Sequence, residues 1–207
     1  MTSTTRTRVR RAAATAVTVT AALVLAACGA AADGDGDGAA GAKATASAAS
    51  YNAQDVTFAQ GMIPHHRQAL EMAELAADRA SSTQVKDLAA RIERAQDPEI
   101  GKLTGWLKAW GEDVPEEGAS MDHGSHGDAM AGMMDEAAMD ELSKASGKAF
   151  DTAFLTLMVD HHEGAVDMAG TERDKGRYAP AKSLADDIVT GQSAEIAEMN
   201  ELLGRDS

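Results

Sequence analysis

Two stretches decide the fold. The first is Phe58-Ala59-Gln60-Gly61-Met62-Ile63-Pro64-His65-His66-Arg67-Gln68-Ala69-Leu70-Glu71-Met72-Ala73. The second, 96 residues further on, is Phe154-Leu155-Thr156-Leu157-Met158-Val159-Asp160-His161-His162-Glu163-Gly164-Ala165-Val166-Asp167-Met168-Ala169. Phe, Met, both His, Ala, Met and Ala return at equivalent positions. The register continues without a gap, so that Lys86, Leu88, Ile92, Gln96, Glu99, Ile100 and Leu107 recur as Lys182, Leu184, Ile188, Gln192, Glu195, Ile196 and Leu203. Self-similarity at one fixed offset marks a duplicated supersecondary unit, here two copies rather than a solenoid array.

Each copy reads as a helical hairpin. Residues 52–79 contain no turn cluster, and Ser81-Ser82 offer a cap before a second helix. That helix places Val85, Leu88, Ile92, Leu103, Leu107 and Trp110 close to a 3.6-residue period. Leu184, Ile188, Ile196, Met199 and Leu203 repeat the pattern near the C-terminus. Pro64 and Pro98 fall inside these segments and should distort them locally. Two hairpins with one apolar face each bury those faces best against one another. The expected architecture is therefore an all-α four-helix bundle with pseudo-two-fold symmetry over residues 51–204, its halves joined by a long crossover at about 111–142.

Composition agrees with helices. Of 207 residues, 44% are hydrophobic but only 3% aromatic, with 11 Met, so the core is built from Ala, Leu, Ile, Val and Met. The formal charge of −14 argues against nucleic acid as a partner, because phosphate binding needs a Lys/Arg surface.

The first 27 residues read as an export signal. Arg6, Arg8, Arg10 and Arg11 precede an uncharged run from Ala12 to Ala27. The run is short of the ~20 residues that a permanent membrane span needs. Its ending, Leu25-Ala26-Ala27-Cys28, resembles a bacterial lipobox. Cys28, the single cysteine, would then be lipidated and anchor the mature chain to the outer face of the cell membrane. Arg10-Arg11 gives only a poor twin-arginine signal, and the general export route is not distinguished from it. Loss of the four arginines takes the charge to about −18. Residues 29–50 are Gly, Ala, Asp and Ser with one Lys and one Thr, a solvated tether. Asp33-Gly34-Asp35-Gly36-Asp37-Gly38 opens like a calcium loop, but Ala44 stands where a bidentate Glu is required.

The repeated motif has the donors of a soft-metal site. On a helix, His65 lies about 60° to one side of Met62 and His66 about 40° to the other, so the three share one broad face. Met72 follows His65 by two turns, and Met158, His161, His162 and Met168 repeat the geometry. Thioether sulfur binds Cu(I) well and hard ions poorly, and imidazole suits copper, so the mixture points to copper with silver as its mimic. Zinc would recruit Cys, His or carboxylate. A ferritin-type di-iron site needs Glu-x-x-His, and no Glu stands three residues before any histidine. Ligation needs neutral imidazole, so affinity should fall as pH drops through the histidine range. A Met stripe at helical spacing can equally be core filler, and a His pair a buried polar group. The return of both histidines beside both methionines, while Pro64, Arg67 and Gln68 change to Asp160, Glu163 and Gly164, favours ligation.

The crossover carries further soft donors, Met121, His123, His126, Met130, Met133, Met134 and Met139. They form a second candidate site that could order around an ion. Gln96/Gln192 and Glu99/Glu195 could serve as outer partners of the imidazoles or simply as inter-helix hydrogen bonds. Glu71 and Asp167 should face elsewhere, and Trp106 and Trp110 should pack. No nucleophile elbow, phosphate-cradling glycine loop or HExxH is present in the sequence.

The doubled Met-x-x-His-His-x-x-Ala-x-x-Met-Ala resembles the exported bacterial family known as domain of unknown function 305, over roughly residues 51–204. The resemblance implies a ferritin-like fold and export. For some members it also implies copper binding, which would fall on Met62, His65, His66, Met72, Met158, His161, His162 and Met168. It implies no enzymatic activity. The expectation is a lipid-anchored, extracytoplasmic Cu(I)-binding bundle that sequesters, buffers or passes on copper to a transfer partner. Its rivals are a structural or partner-binding envelope module and, last, a metal-dependent oxidoreductase.

Overall fold

In the computed structural model the described residues are 51–116 and 131–205. The signal at 1–27, Cys28, the tether at 29–50 and the crossover donors Met121, His123, His126 and Met130 lie outside them. Five helices follow in order: α1 (Ala53–Arg79), α2 (Thr83–Trp110), α3 (Glu136–Lys144), α4 (Gly147–Lys175) and α5 (Ala179–Leu202). Helices α1 and α2 form one hairpin, α4 and α5 the other, and the hairpins meet along α1 and α4. This is the all-α, two-hairpin bundle that the duplication predicts. None of these helices is long and apolar enough to cross a membrane.

Local chemistry sets the helix ends. Asn52 caps α1, accepting from the Gln54 and Asp55 amides, while Asp55 accepts from the Asn52 amide in a capping box. Ser82 caps α2 through the Val85 amide, as the Ser81-Ser82 signal suggests. Helices α1 and α2 run on through Pro64 and Pro98. The crossover differs from the sequence expectation, since its last third folds as α3. Asp135 caps this short helix by accepting from the Ala138 amide at 2.7 Å. Leu142 is buried beneath it and Met139 packs on the core, so two apolar side chains four residues apart or fewer dock an otherwise polar segment.

The interior consists of two apolar cores with a polar layer between them. One core gathers Ala69, Met72, Ala73, Leu88, Ile92, Phe150, Phe154, Met158 and Met199, among others. The other gathers Phe58, Met62, Ile63, Leu103, Leu107, Ala165, Ala169, Leu184 and Ile188. His65, His66, His161, His162, Gln96 and Gln192 are buried as well. They fall, on α1 and α4, between the residues of the first core and those of the second.

Two aspartates cross-link the hairpins. Asp151 of α4 accepts from the Ser81 and Ser82 amides at 3.0 and 3.1 Å and from the Ser81 hydroxyl at 2.5 Å, holding the α1–α2 turn. Its equivalent, Asp55 of α1, accepts from the Arg177 and Tyr178 amides at 3.0 and 2.8 Å, holding the α4–α5 turn. Each hairpin thus supplies the carboxylate that satisfies the other's exposed turn amides. The symmetry breaks beside Asp55, where fully buried Glu172 occupies the position equivalent to Ala76. Burial, then the neighbouring Asp55 carboxylate, pushes the Glu172 carboxyl up to about 8. Burial opposes the charge on Asp55, but Glu172 and the amides of Tyr178, Asn52 and Arg177 outweigh it and hold Asp55 below its usual value.

Replacing Asp151 by Ala should lower unfolding stability by about 2–4 kcal/mol in chemical denaturation, since three charge-assisted bonds are lost together. Glu172 keeps its proton longer folded than unfolded, so its favourable contribution is complete below pH 4.5 and is lost as pH rises to about 8. Glu172→Gln should therefore flatten the fall in denaturation midpoint between those values and exceed the parent in stability above pH 8. An unchanged slope would show that Glu172 does not hold the proton.

Candidate metal centre

Both histidines of each pair point into the protein, but in different directions. His65 and His161 face one another across the α1–α4 crossing, with ring centroids 3.8 Å apart and planes tilted by 42°. His66 turns toward α2, where its Nε2–H donates to Glu99 Oε2 at 2.7 Å. His162 turns toward α5 and donates to Glu195 Oε2 at 2.8 Å. Adjacent helix positions differ by about 100°, which is why one ring of each pair lies on the inter-hairpin seam and the other inside its own hairpin. The recurring Glu99 and Glu195 are thus inter-helix hydrogen bonds and imidazole partners at once. Gln96 and Gln192 are buried without such a role, Gln96 lacking any hydrogen-bond partner among the described residues.

The hydrogen bonds settle the tautomers. The Ala131 carbonyl lies 3.1 Å from His65 Nε2, and a carbonyl can only accept, so that nitrogen carries the proton. His65, His66 and His162 each commit Nε2–H to an oxygen, and each leaves Nδ1 buried without a partner among the described residues. Neither ring nitrogen of His161 has a partner among them. A ring held by one N–H on a carboxylate or carbonyl, with the other nitrogen bare, is the arrangement of metal-ligating histidine. Left alone, each such buried polar atom costs about 1–3 kcal/mol.

Electrostatics keep the lone pairs of the two seam rings, His65 and His161, free of protons. Burial, with a smaller contribution from His66, lowers the His65 imidazole to about 3, against the partial support of the Ala131 carbonyl. Burial and then His65 hold His161 well below the ordinary range. The expectation that protons compete for these rings around neutral pH is therefore corrected: at the seam they compete only in strong acid.

The thioethers divide by environment. Met62 and Met158 are fully buried, the first in the core beyond one side of the histidine layer and the second in the core beyond the other. Met72 is also fully buried, packed with Phe150 and Phe154 in one core. Its equivalent Met168 is only half-buried and lines a cavity of about 380 Å³ with Phe58, Ala131, Asp167 and Lys175. Of the crossover donors described, Met134 packs against the core and Met133 is half-buried. Glu71 and Asp167 are exposed, as expected. Trp106 and Trp110 pack with Tyr178, and Trp110 stacks on Tyr51. Among the described residues, no three His, Cys, Asp or Glu side chains gather around one point.

Sequence reasoning did not single out Asp55, Asp151 or Ala131. The two aspartates stand 96 residues apart and were legible in the repeat, whereas Ala131 acts through its backbone carbonyl and leaves no signal.

Fold and site together define a duplicated helical bundle with a buried, nitrogen-rich and sulfur-flanked centre. Residues 55–203 match the family described as domain of unknown function (DUF305), and the chain belongs to that family. Solved structures agree. A DUF305 protein from Streptomyces coelicolor is 33% identical, with a TM-score of 0.66 over 73% of this chain and 91% of the other. A DUF305 fragment from Deinococcus radiodurans is 32% identical, with a TM-score of 0.65 over 74% and 97%. CopM in its Cu(II)-bound form is 35% identical, with a TM-score of 0.61 over 72% and 94%, and CopM is also known with Cu(I) and with silver bound. No curated protein matches the chain.

Because His65 and His161 resist protonation when folded, the metal-free bundle should hold its full share of their stability above pH 6.5 and lose it as pH falls toward about 3. Chemical denaturation across that range should show the decline, and a His65→Leu/His161→Leu variant should lack most of it.

Proposed function

We propose that this protein binds Cu(I) outside the cytoplasmic membrane and sequesters, buffers or passes it on, without catalysing a reaction. The observation that carries the reading is the set of buried, unpartnered imidazole nitrogens in one layer, three of them on rings oriented by an outer oxygen partner. Neutral imidazole with thioether from Met62 and Met158 suits a soft monovalent cation, and silver would follow copper. Met72 and Met168 complete the donor set read from the motif. The copper- and silver-bound forms of CopM support the same cargo. The Arg-rich start and the Leu-Ala-Ala-Cys ending support export and anchoring through Cys28. The crossover tract at Met121, His123, His126, Met130, Met133 and Met134 would capture ions and deliver them to the bundle.

Anaerobic titration with Cu(I) against a competing chelator tests the bundle site. Replacing His65, His66, His161 and His162 by Gln should abolish the tight site while circular dichroism still reports a helical protein. Replacing the crossover donors by Ser should leave it. Unaltered affinity in the four-histidine variant would refute ligation, and loss of folding without metal would assign those rings a structural role.

A further inference from the structure

The imidazoles of the α1–α4 seam are fully buried, so an ion reaches them only if something moves. Helices α1 and α4 are packed on both sides of the layer by apolar side chains. The one described non-helical segment that touches the layer is Ala131–Met134, which lies across α1 and α4. Its attachment is polar and local. The Ala131 carbonyl accepts from His65. Gln68 grips Met134 twice, donating to its carbonyl at 2.8 Å and accepting from its amide at 2.7 Å.

The opposite helix supplies space rather than a grip. A Cβ on Gly164 would strike the Ala131 carbonyl, so only glycine admits the segment here. Gly132 has φ +77°, and a side chain on it would strike the Asp160 carbonyl. Gln68 and Gly164 are equivalent positions of the duplication, so the two copies have diverged to seat one strap. Ala131 also lines the cavity beside Met168, whose half-buried thioether is the exposed member of a pair whose other half, Met72, is sealed in the core.

We propose that Ala131–Met134 is a strap that gates the seam imidazoles, that a soft monovalent cation enters and leaves through the Met168 cavity, and that Gln68 sets how readily the strap lifts. This rests on the copper-binding reading above and adds to it a route and a rate. With the strap down, the Ala131 carbonyl fixes His65 with Nδ1 as its free donor. With it lifted, the ring is uncovered on the cavity side. If the strap closes over the ring in the free and the loaded protein alike, loosening it speeds entry and exit together.

The test uses the full-length protein in detergent, loaded anaerobically with Cu(I). Release to an excess of chromophoric chelator is followed by stopped-flow absorbance, and affinity is measured separately with limiting chelator. Gln68→Leu should raise the release rate about tenfold, the factor expected when one or two net hydrogen bonds are lost, with a smaller change in affinity. Met168→Leu should slow association, whereas Met199→Leu, in the sealed core away from the cavity, should leave association unchanged. In the unaltered protein, the Met134 amide should exchange with solvent hydrogen faster than amides in the middle of α1 and α4. Unchanged rates in Gln68→Leu, or equal effects of Met199→Leu and Met168→Leu, would overturn the gate while leaving copper binding intact. No tight Cu(I) binding by the unaltered protein would instead remove the reading on which the gate rests.

Discussion

One constraint governs this structure: four imidazoles are sealed in the bundle interior, two at the crossing of α1 and α4 and one inside each hairpin. An ordinary helical seam would place Leu or Ala there. Such rings must be oriented by partners and leave nitrogens without hydrogen bonds among the described residues, and burial keeps His65 and His161 neutral. Glu99 and Glu195 answer the orientation demand from the outer helices. Packing answers the rest. Apolar cores on both sides of the layer supply the burial energy that lets the bundle tolerate such a costly centre. Metal ligation would turn that cost into binding energy, because a site whose lone pairs are already dehydrated and unprotonated has less to give up when an ion arrives.

The duplication shows what symmetry was kept and what was given away. The histidines, their glutamates and the two cross-linking aspartates are retained in both copies. The copies have diverged where the single crossover touches a two-fold framework, as they have at Glu172 and Ala76. Gln68 and Gly164 treat one strap in opposite ways, one clamping and the other yielding. Met72 is sealed while Met168 borders a cavity. A pseudo-symmetric bundle with one connection cannot remain symmetric around that connection, and the substitutions fall accordingly.

Much of this was legible in the residues. The repeat alone implied two hairpins, and the 3.6-residue spacing with Ser81-Ser82 placed the first turn correctly. The motif identified the buried histidine layer. What could not be read was direction. Adjacent histidines on a helix are equivalent in a linear pattern, and only the docking of α4 on α1 sends His65 and His161 to the seam while His66 and His162 face their own hairpins. Helix α3 was hidden because nine residues with two apolar anchors carry a weak periodic signal. The contribution of Ala131 was invisible for a deeper reason, since a carbonyl acts wherever the backbone goes, whatever side chain accompanies it.

The crossed aspartates carry an implication about ancestry. A solitary hairpin of this kind would own a carboxylate with an oxygen left over and a turn whose amides had no acceptor, and a second copy, rotated against it, would cure both defects at once. The same two sets of bonds could form between separate subunits as well as within one polypeptide. A homodimer of single hairpins would satisfy the same complementarity, and joining the copies in one chain leaves each side free to differ.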